Sequence, residues 1–147
     1  MDFDFTDEQM AIREGVRAVA TRFDDHYWLE RDNDGQFPRE FHRAMAEGGW
    51  LGITMPEAYG GAGLGVTEAM LMINEVAQHG GAMAAVSTIH INLFGPHPIV
   101  VFGTEAQKQR WIPRLIAGDD QVCFGVTEPD AGLDTTRIKT FAKKVDG

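Results

Sequence analysis

Val122-Cys-Phe-Gly-Val-Thr-Glu-Pro-Asp-Ala-Gly-Leu-Asp134 is the stretch at which the chain changes character. Val122, Phe124 and Val126 alternate with Cys123 and Gly125, the period-two pattern of a strand, and the pattern runs into a Thr/Pro/Gly/Asp loop. Everything before it reads as helix. The stretch therefore divides a helical domain, residues 1–120, from the opening of a β domain, residues 121–147. At the strand end, backbone amides, the Thr127 hydroxyl and small residues converge, a donor set suited to a planar heteroaromatic ring and a nearby phosphate. A purely structural turn has the same composition.

Upstream, Thr6-Asp7-Glu8-Gln9 has the form of a capping box, and Ile12, Val16, Val19 and Phe23 follow at helical spacing, which predicts a helix from residue 7 to about 23. Residues 24–36 read as a helix tail and then a loop, with Asp34-Gly35 as a turn. Pro38 opens a second helix with Phe41, Ala44 and Met45 on its apolar face, stopped by Gly48-Gly49. After a short hydrophobic stretch and a glycine loop at 59–65, Thr67 is expected to cap a third helix lined by Ala69, Met72, Ile73, Val76 and Ala77. Residues 82–94 are apolar nearly all round and should lie between other helices. A short helix near Pro98 to Phe102 follows. Thr104-Glu-Ala-Gln107 repeats the capping-box form, with Pro113 expected to break or kink that helix.

Downstream, Ile138 to Val145 alternates again, and Asp146-Gly147 is a hairpin signal whose returning strand lies outside the sequence. The expectation is a chain that forms the front part of a longer polypeptide. The 147 residues carry 13 Lys plus Arg against 22 Asp plus Glu, a net charge of −9, which disfavours a phosphate-backbone binder and so nucleic acid. Arg137, Lys139, Lys143 and Lys144 make the final stretch basic, consistent with a domain border just before it. A single cysteine allows no intramolecular disulfide, the N-terminus lacks a leader pattern, and no apolar run approaches a membrane span. A soluble cytoplasmic protein is expected.

Other motifs carry less. The third glycine of a dinucleotide fingerprint counted from Gly61 and Gly63 would be residue 66, which is Val66. His26, His42, His79, His90 and His97 form no ligand pair of helical spacing, so no metal site is expected. Cys123 reads as a small buried residue, and the seven methionines as core filler. His90, on the most apolar helix, needs a hydrogen-bond partner or a cavity to face. Glu68 and Glu75 fit a solvated helix face, and Glu128 a structural turn.

Gly125-Val-Thr-Glu-Pro-Asp-Ala-Gly-Leu-Asp134 closely resembles the Val-Thr-Glu-Pro-x-Ala-Gly-Ser-Asp motif of flavin-dependent acyl-CoA dehydrogenases. Phe5-Thr-Asp-Glu-Gln9, Pro56-Glu-Ala-Tyr-Gly-Gly-Ala-Gly-Leu-Gly65 and Phe102-Gly-Thr-Glu-Ala-Gln-Lys-Gln-Arg-Trp-Ile-Pro113 agree in order and spacing, so the resemblance spans essentially the whole chain. It implies a mainly α fold: the N-terminal helical-bundle domain of a three-part subunit, followed by the first strands of an incomplete β-barrel-like middle domain. It also implies FAD as cofactor. In the family a glutamate base takes the α-proton of an acyl-CoA thioester while the β-hydride passes to the flavin, giving a 2-enoyl-CoA, and an electron-transfer flavoprotein receives the electrons.

Carried over by position, Phe124, Gly125, Val126 and Thr127 line the flavin, and Gly132 and Leu133 lie near the pyrophosphate and the CoA arm. Leu133 replaces the usual hydroxyl residue and cannot donate a hydrogen bond; Asp130 replaces the commoner glycine, and Arg137 a small residue. Ser87, His90, Ile91 and Phe94 fall by order near the acyl channel. The resemblance places the catalytic base and the second flavin strand beyond Gly147, so no residue here is assigned as catalytic and the isolated chain is expected to be inactive. A homodimer or homotetramer is implied as well. An acyl-CoA oxidase and a noncatalytic partner subunit of a heteromeric dehydrogenase are the alternative readings.

Overall fold

The computed structural model describes residues 4–145, so the expected turn at Asp146-Gly147 lies outside the described residues. Helix α1, Asp7–Ala20, begins where the sequence places it: the Thr6 hydroxyl accepts from the Gln9 amide at 3.2 Å and the Gln9 side chain accepts from the Thr6 amide at 3.2 Å. It ends three residues before Phe23. Residues 25–34, expected to be a tail and a loop, are a second helix, α2 (Asp25–Asp34). Asp24 caps it by accepting from the Tyr27 amide, and Gly35 stops it in the left-handed conformation at φ 63°, so the Asp-Gly signal marks a helix end and not a turn between loops. Helix α3 is Arg39–Glu47.

Two short 3-10 turns, Trp50–Gly52 and Glu57–Tyr59, lead through the glycine loop into α4, Val66–Ala77. Its cap is Gly65 and not Thr67: the Glu68 carboxylate accepts from the Gly65 amide at 3.1 Å, which starts the helix before Thr67. Gly61 is held tightly in this loop, where any side chain would collide with the Met55 backbone. Helices α5 (Ala82–Phe94), α6 (His97–Phe102) and α7 (Glu105–Ile116) complete the domain. The α7 capping box forms at Thr104, but Pro113 neither breaks nor ends the helix. It lies within the last turn and its carbonyl still accepts from the Ala117 amide at 2.9 Å, so only the missing amide of residue 113 is lost.

The core gathers where α1, α3, α4 and α5 meet. Val16, Met45, Met72, Val76 and Ile89 are fully buried there. At one end Phe23, Trp28 and Phe41 pack edge to face, 5.1–5.4 Å between centroids for the two pairs involving Phe41, and the Trp28 indole donates to the Phe23 carbonyl at 3.1 Å. This cluster is why α2 docks at all.

Glu75 departs from expectation. Far from lying on a solvated face, it is 1% exposed and accepts from Arg17 at 2.7 Å and Arg13 at 3.1 Å, with His79 Nε2 at 3.5 Å. It falls on the same stripe of α4 as Leu71 and Met72, and α1 supplies its counter-charges, tying the two helices together. The Arg17 hydrogen bond, opposed by burial, holds its carboxyl below the ordinary glutamate range.

Helix α5 is only partly enclosed. Ala85, Val86, Ile89 and Asn92 are buried, whereas Met83 and Phe94 are exposed. Ala82–Phe102 forms the one helical stretch among the described residues with the length and mean hydropathy, 1.2, of a membrane span, which the sequence reading did not anticipate. Gly95 and Pro96 interrupt it, and its inward face packs on the domain core.

Beyond Ile116 no strand forms among the described residues. Residues 121–127 and 138–145 run without a ladder partner, and the one pairing is the bridge between Glu128 and Ala131. The alternation that predicts strands is present, but a strand needs a neighbour to exchange hydrogen bonds with.

Candidate functional site

An apolar cavity of about 700 Å³ lies between α4 and the end of α5. Leu64, Met70, Ile73, Leu93, Phe94 and Phe124 form its walls, and His97 is the sole titratable side chain around it. The lining holds no Asp, Glu, Lys or Arg, so the space suits a hydrocarbon group. Val66, Met70 and Ile73 recur at helical spacing and form a second apolar stripe on α4, beside the buried one that runs through Ala69, Met72 and Val76.

Of the four residues expected along an acyl channel, the structure brings only Phe94 to this cavity. Ser87 is exposed nearly two turns earlier, and Ile91 is half-buried outside the lining. His90 is satisfied locally: its Nδ1 lies 3.3 Å from the Val86 carbonyl and its ring is 5.5 Å from that of Phe94. Met70, Ile73 and Leu64 were missed because the partnership between α4 and α5 is nonlocal; the signal available was the extra apolar stripe on α4.

Phe124 joins the cavity to the motif segment. Its ring meets Phe94 edge to face at 5.3 Å, so the first residue of the motif's candidate ring-binding stretch is also a wall of the apolar space. Behind it Gly125 and Thr127 are exposed and Val126 is half-buried. The backbone of 121–127 makes no hydrogen bond to any other described residue, and a side chain at Gly125 or Gly132 would meet nothing within 4 Å. Free amides, free carbonyls and the Thr127 hydroxyl are a donor and acceptor set that fits the heteroatom edge of a flavin ring. Cys123, expected to be buried, is exposed, because the extended segment has no sheet to lie in.

The rest of the motif is organised by Glu128. Its amide and carbonyl pair with Ala131 at 3.0 and 3.1 Å around Pro129-Asp130, and its carboxylate accepts from the Lys139 amide at 2.9 Å, the Thr140 amide at 2.7 Å and the Thr140 hydroxyl. These bonds, the hydroxyl first, hold its carboxyl below the usual range. Glu128 is therefore a structural residue of the loop. Leu133 projects fully into solvent at the far side, and Gly132 is exposed next to it.

The family profile described as acyl-CoA dehydrogenase, N-terminal domain, matches residues 6–119. The chain belongs to the acyl-CoA dehydrogenase family. It is 34% identical over 142 residues to an acyl-CoA dehydrogenase of Bacillus subtilis, an alignment covering 97% of this chain and 37% of that protein. Its fold matches the glutaryl-coenzyme A dehydrogenase seen in complex with glutaryl-CoA, with a TM-score of 0.83 and 32% identity over 94% of this chain and 35% of that one. Butyryl-CoA dehydrogenase from Megasphaera elsdenii matches with a TM-score of 0.74 and 31% identity, over 92% of this chain and 36% of that one. The chain thus spans a little over a third of the length of these dehydrogenases.

Proposed function

We propose that this chain is the helical front of an FAD-dependent acyl-CoA dehydrogenase and that residues 121–147 open its β domain. One observation carries the reading: the apolar cavity between α4 and α5 and the motif segment share Phe124 as a common wall. An acyl chain lying along Met70, Ile73 and Phe94 ends its run beside the exposed backbone of Gly125 and Val126. In this reading Phe124, Gly125, Val126 and Thr127 hold the flavin ring, and Gly132 and Leu133 face the phosphate and CoA arms. Bound FAD supplies the hydride acceptor.

The work of these residues is placement and exclusion of water. The apolar walls desolvate the hydrocarbon part of the substrate and fix its depth, while the Thr127 hydroxyl and the backbone groups before it orient the cofactor edge. Arg13 and Arg17 on α1 are committed to Glu75, and neither lines the cavity. An electron-transfer flavoprotein as acceptor, a homodimeric or homotetrameric assembly and a cytoplasmic location belong to the same reading, the last supported by an exposed unpaired thiol at Cys123.

The test uses the protein encoded by the complete reading frame that contains these residues. It is expected to purify with flavin absorbance and to reduce an artificial electron acceptor when given acyl-CoA, with little oxygen consumption. A colourless protein, or a yellow one that acyl-CoA does not bleach, refutes the dehydrogenase reading; rapid oxygen consumption favours the oxidase.

A further inference from the structure

A second concave site lies away from the apolar cavity and shares no lining residue with it. It is a groove of about 320 Å³ between α3 and the turn after α7, lined by Phe37, Arg39, Glu40, His42, Arg43, Gly118 and Gln121, so that two guanidiniums face one carboxylate. Arg39 and Arg43 stand one turn apart on α3, and neither makes a salt bridge among the described residues, although the charge of Arg39 acts on the neighbouring Glu40. Arg39 lies over the Phe37 ring at 6.0 Å, a contact that leaves its N–H groups free. In a chain of net charge −9, two unpaired guanidiniums on one groove are an unusual concentration of positive charge.

Beside them on α3 sits His42, only 4% exposed, with Nε2 buried and unpartnered. Its ring packs edge-on against Phe37 at 5.5 Å, and its Cε1–Nδ1 edge faces Gly118. Gly118 has φ 75°, and a side chain there would press on Ala46 at 2.9 Å and His42 at 3.4 Å; its absence leaves the imidazole edge open to the groove. The acids nearby are largely occupied. Glu40 accepts from the Tyr27 hydroxyl at 3.1 Å and lies 3.9 Å from Arg31, and Asp120 takes two hydrogen bonds from Arg114 at 2.7 and 2.9 Å. Asp119 belongs to the adjoining larger groove and not to this one.

We propose that this groove binds a phosphoryl group, taken between the Arg39 and Arg43 guanidiniums with the His42 Nδ1–H as a third donor. A phosphate monoester carries about −1.5 to −2 charge at neutral pH and three strong acceptor oxygens, which matches two cations and one neutral donor better than a monocarboxylate does. Burial, with the charge of Arg39 adding to it, keeps His42 neutral and its pKa below the ordinary histidine value. Binding an anion opposes that. The charged groups set around the imidazole are Arg39, Glu40 and Arg43 from α3 and Asp119 and Asp120 from the turn, and of these only the guanidiniums contact the bound phosphoryl group.

The test titrates inorganic phosphate, AMP and acetate into the full chain at constant ionic strength, following the His42 Cε1–H resonance. Phosphate and AMP are expected to shift it saturably and to raise the His42 pKa; tighter binding of AMP identifies a phosphate ester as the source, and equal binding identifies free phosphate. Arg39→Gln and Arg43→Gln, exposed helix positions whose folding is checked by circular dichroism, are each expected to weaken binding about tenfold, or ~1.4 kcal/mol. The proposal is overturned if phosphate gives no saturable shift, if acetate binds as well as phosphate, or if the folded double variant binds with unchanged affinity.

Discussion

Replacing Glu75 by glutamine removes one negative charge from the seam between α1 and α4 while preserving the shape of the side chain. The carboxylate is buried at 1% exposure, and its two guanidinium partners are 21% and 50% exposed. Breaking a fully buried pair costs about 3–5 kcal/mol, because the surviving charge is stranded. Here both arginines reach water once released, and the amide oxygen of glutamine still accepts one hydrogen bond. The expected loss is therefore nearer ~1–2 kcal/mol, and somewhat more for Glu75→Ala, which adds a small cavity. For a chain of this size 1 kcal/mol corresponds to roughly 2–4 °C, so Tm should fall by about 2–8 °C at pH 7. The pH dependence gives the sharper test. Arg17 and Arg13 lower the folded-state pKa of Glu75, so its contribution is complete above the unfolded value of about 4.3 and is lost as pH falls through the depressed folded value. Urea unfolding followed by circular dichroism from pH 7 to 3 should show wild type losing stability relative to Glu75→Gln at the acid end, so that the two curves converge. Equal midpoints at pH 7, or a difference that does not shrink on acidification, would refute the assignment of Glu75 as the ionic tie.

Three further outcomes are expected. In the flavin-loaded enzyme Phe94→Ala opens the apolar cavity, and the ratio of kcat/KM for longer over shorter acyl-CoA chains should rise about tenfold or more; an unchanged ratio across a chain-length series removes Phe94 as a depth determinant. Gly61→Ala forces a Cβ against the Met55 backbone and should cost about 1–3 kcal/mol by denaturant unfolding, since backbone and not a flexible side chain must yield. Thr104→Ala removes the hydroxyl that accepts from the Gln107 amide and should cost about 1 kcal/mol, whereas Thr104→Ser should cost little in the same assay.

What could be read from the sequence was local. The boxes at Thr6 and Thr104 and the stop at Gly48 depend on neighbours within four residues, and the structure forms them as expected. Helix α2 escaped because its apolar content is low and its docking rests on Trp28 meeting Phe41, a tertiary contact, although the Asp24 cap was there to be read. Glu75 escaped for a related reason: its partners stand 58 and 62 positions away, and a charge within an apolar stripe gives no hint of them. Thr67 lost the cap to Gly65 because the Glu68 carboxylate reaches back to the Gly65 amide without help from a side chain at the cap. At the candidate site, the motif around Phe124 was evident in the linear pattern, but the α4 wall that faces it was not, and of the four residues expected along an acyl channel only Phe94 lines this cavity. The strands were legible as alternation and are absent among the described residues because alternation prescribes faces, whereas pairing requires a second edge.

The Glu128 carboxylate accepts from amides eleven and twelve residues along the chain. A contact of that separation closes a short loop, whose entropic cost grows only logarithmically with length, and it requires no other domain element. The loop that carries Gly132 and Leu133 is thus clasped by sequence-local contacts of low contact order, able to organise early as the chain folds and ahead of any sheet built around it. Acid undoes the clasp, since a protonated Glu128 accepts poorly from amides, so the loop should loosen on acidification.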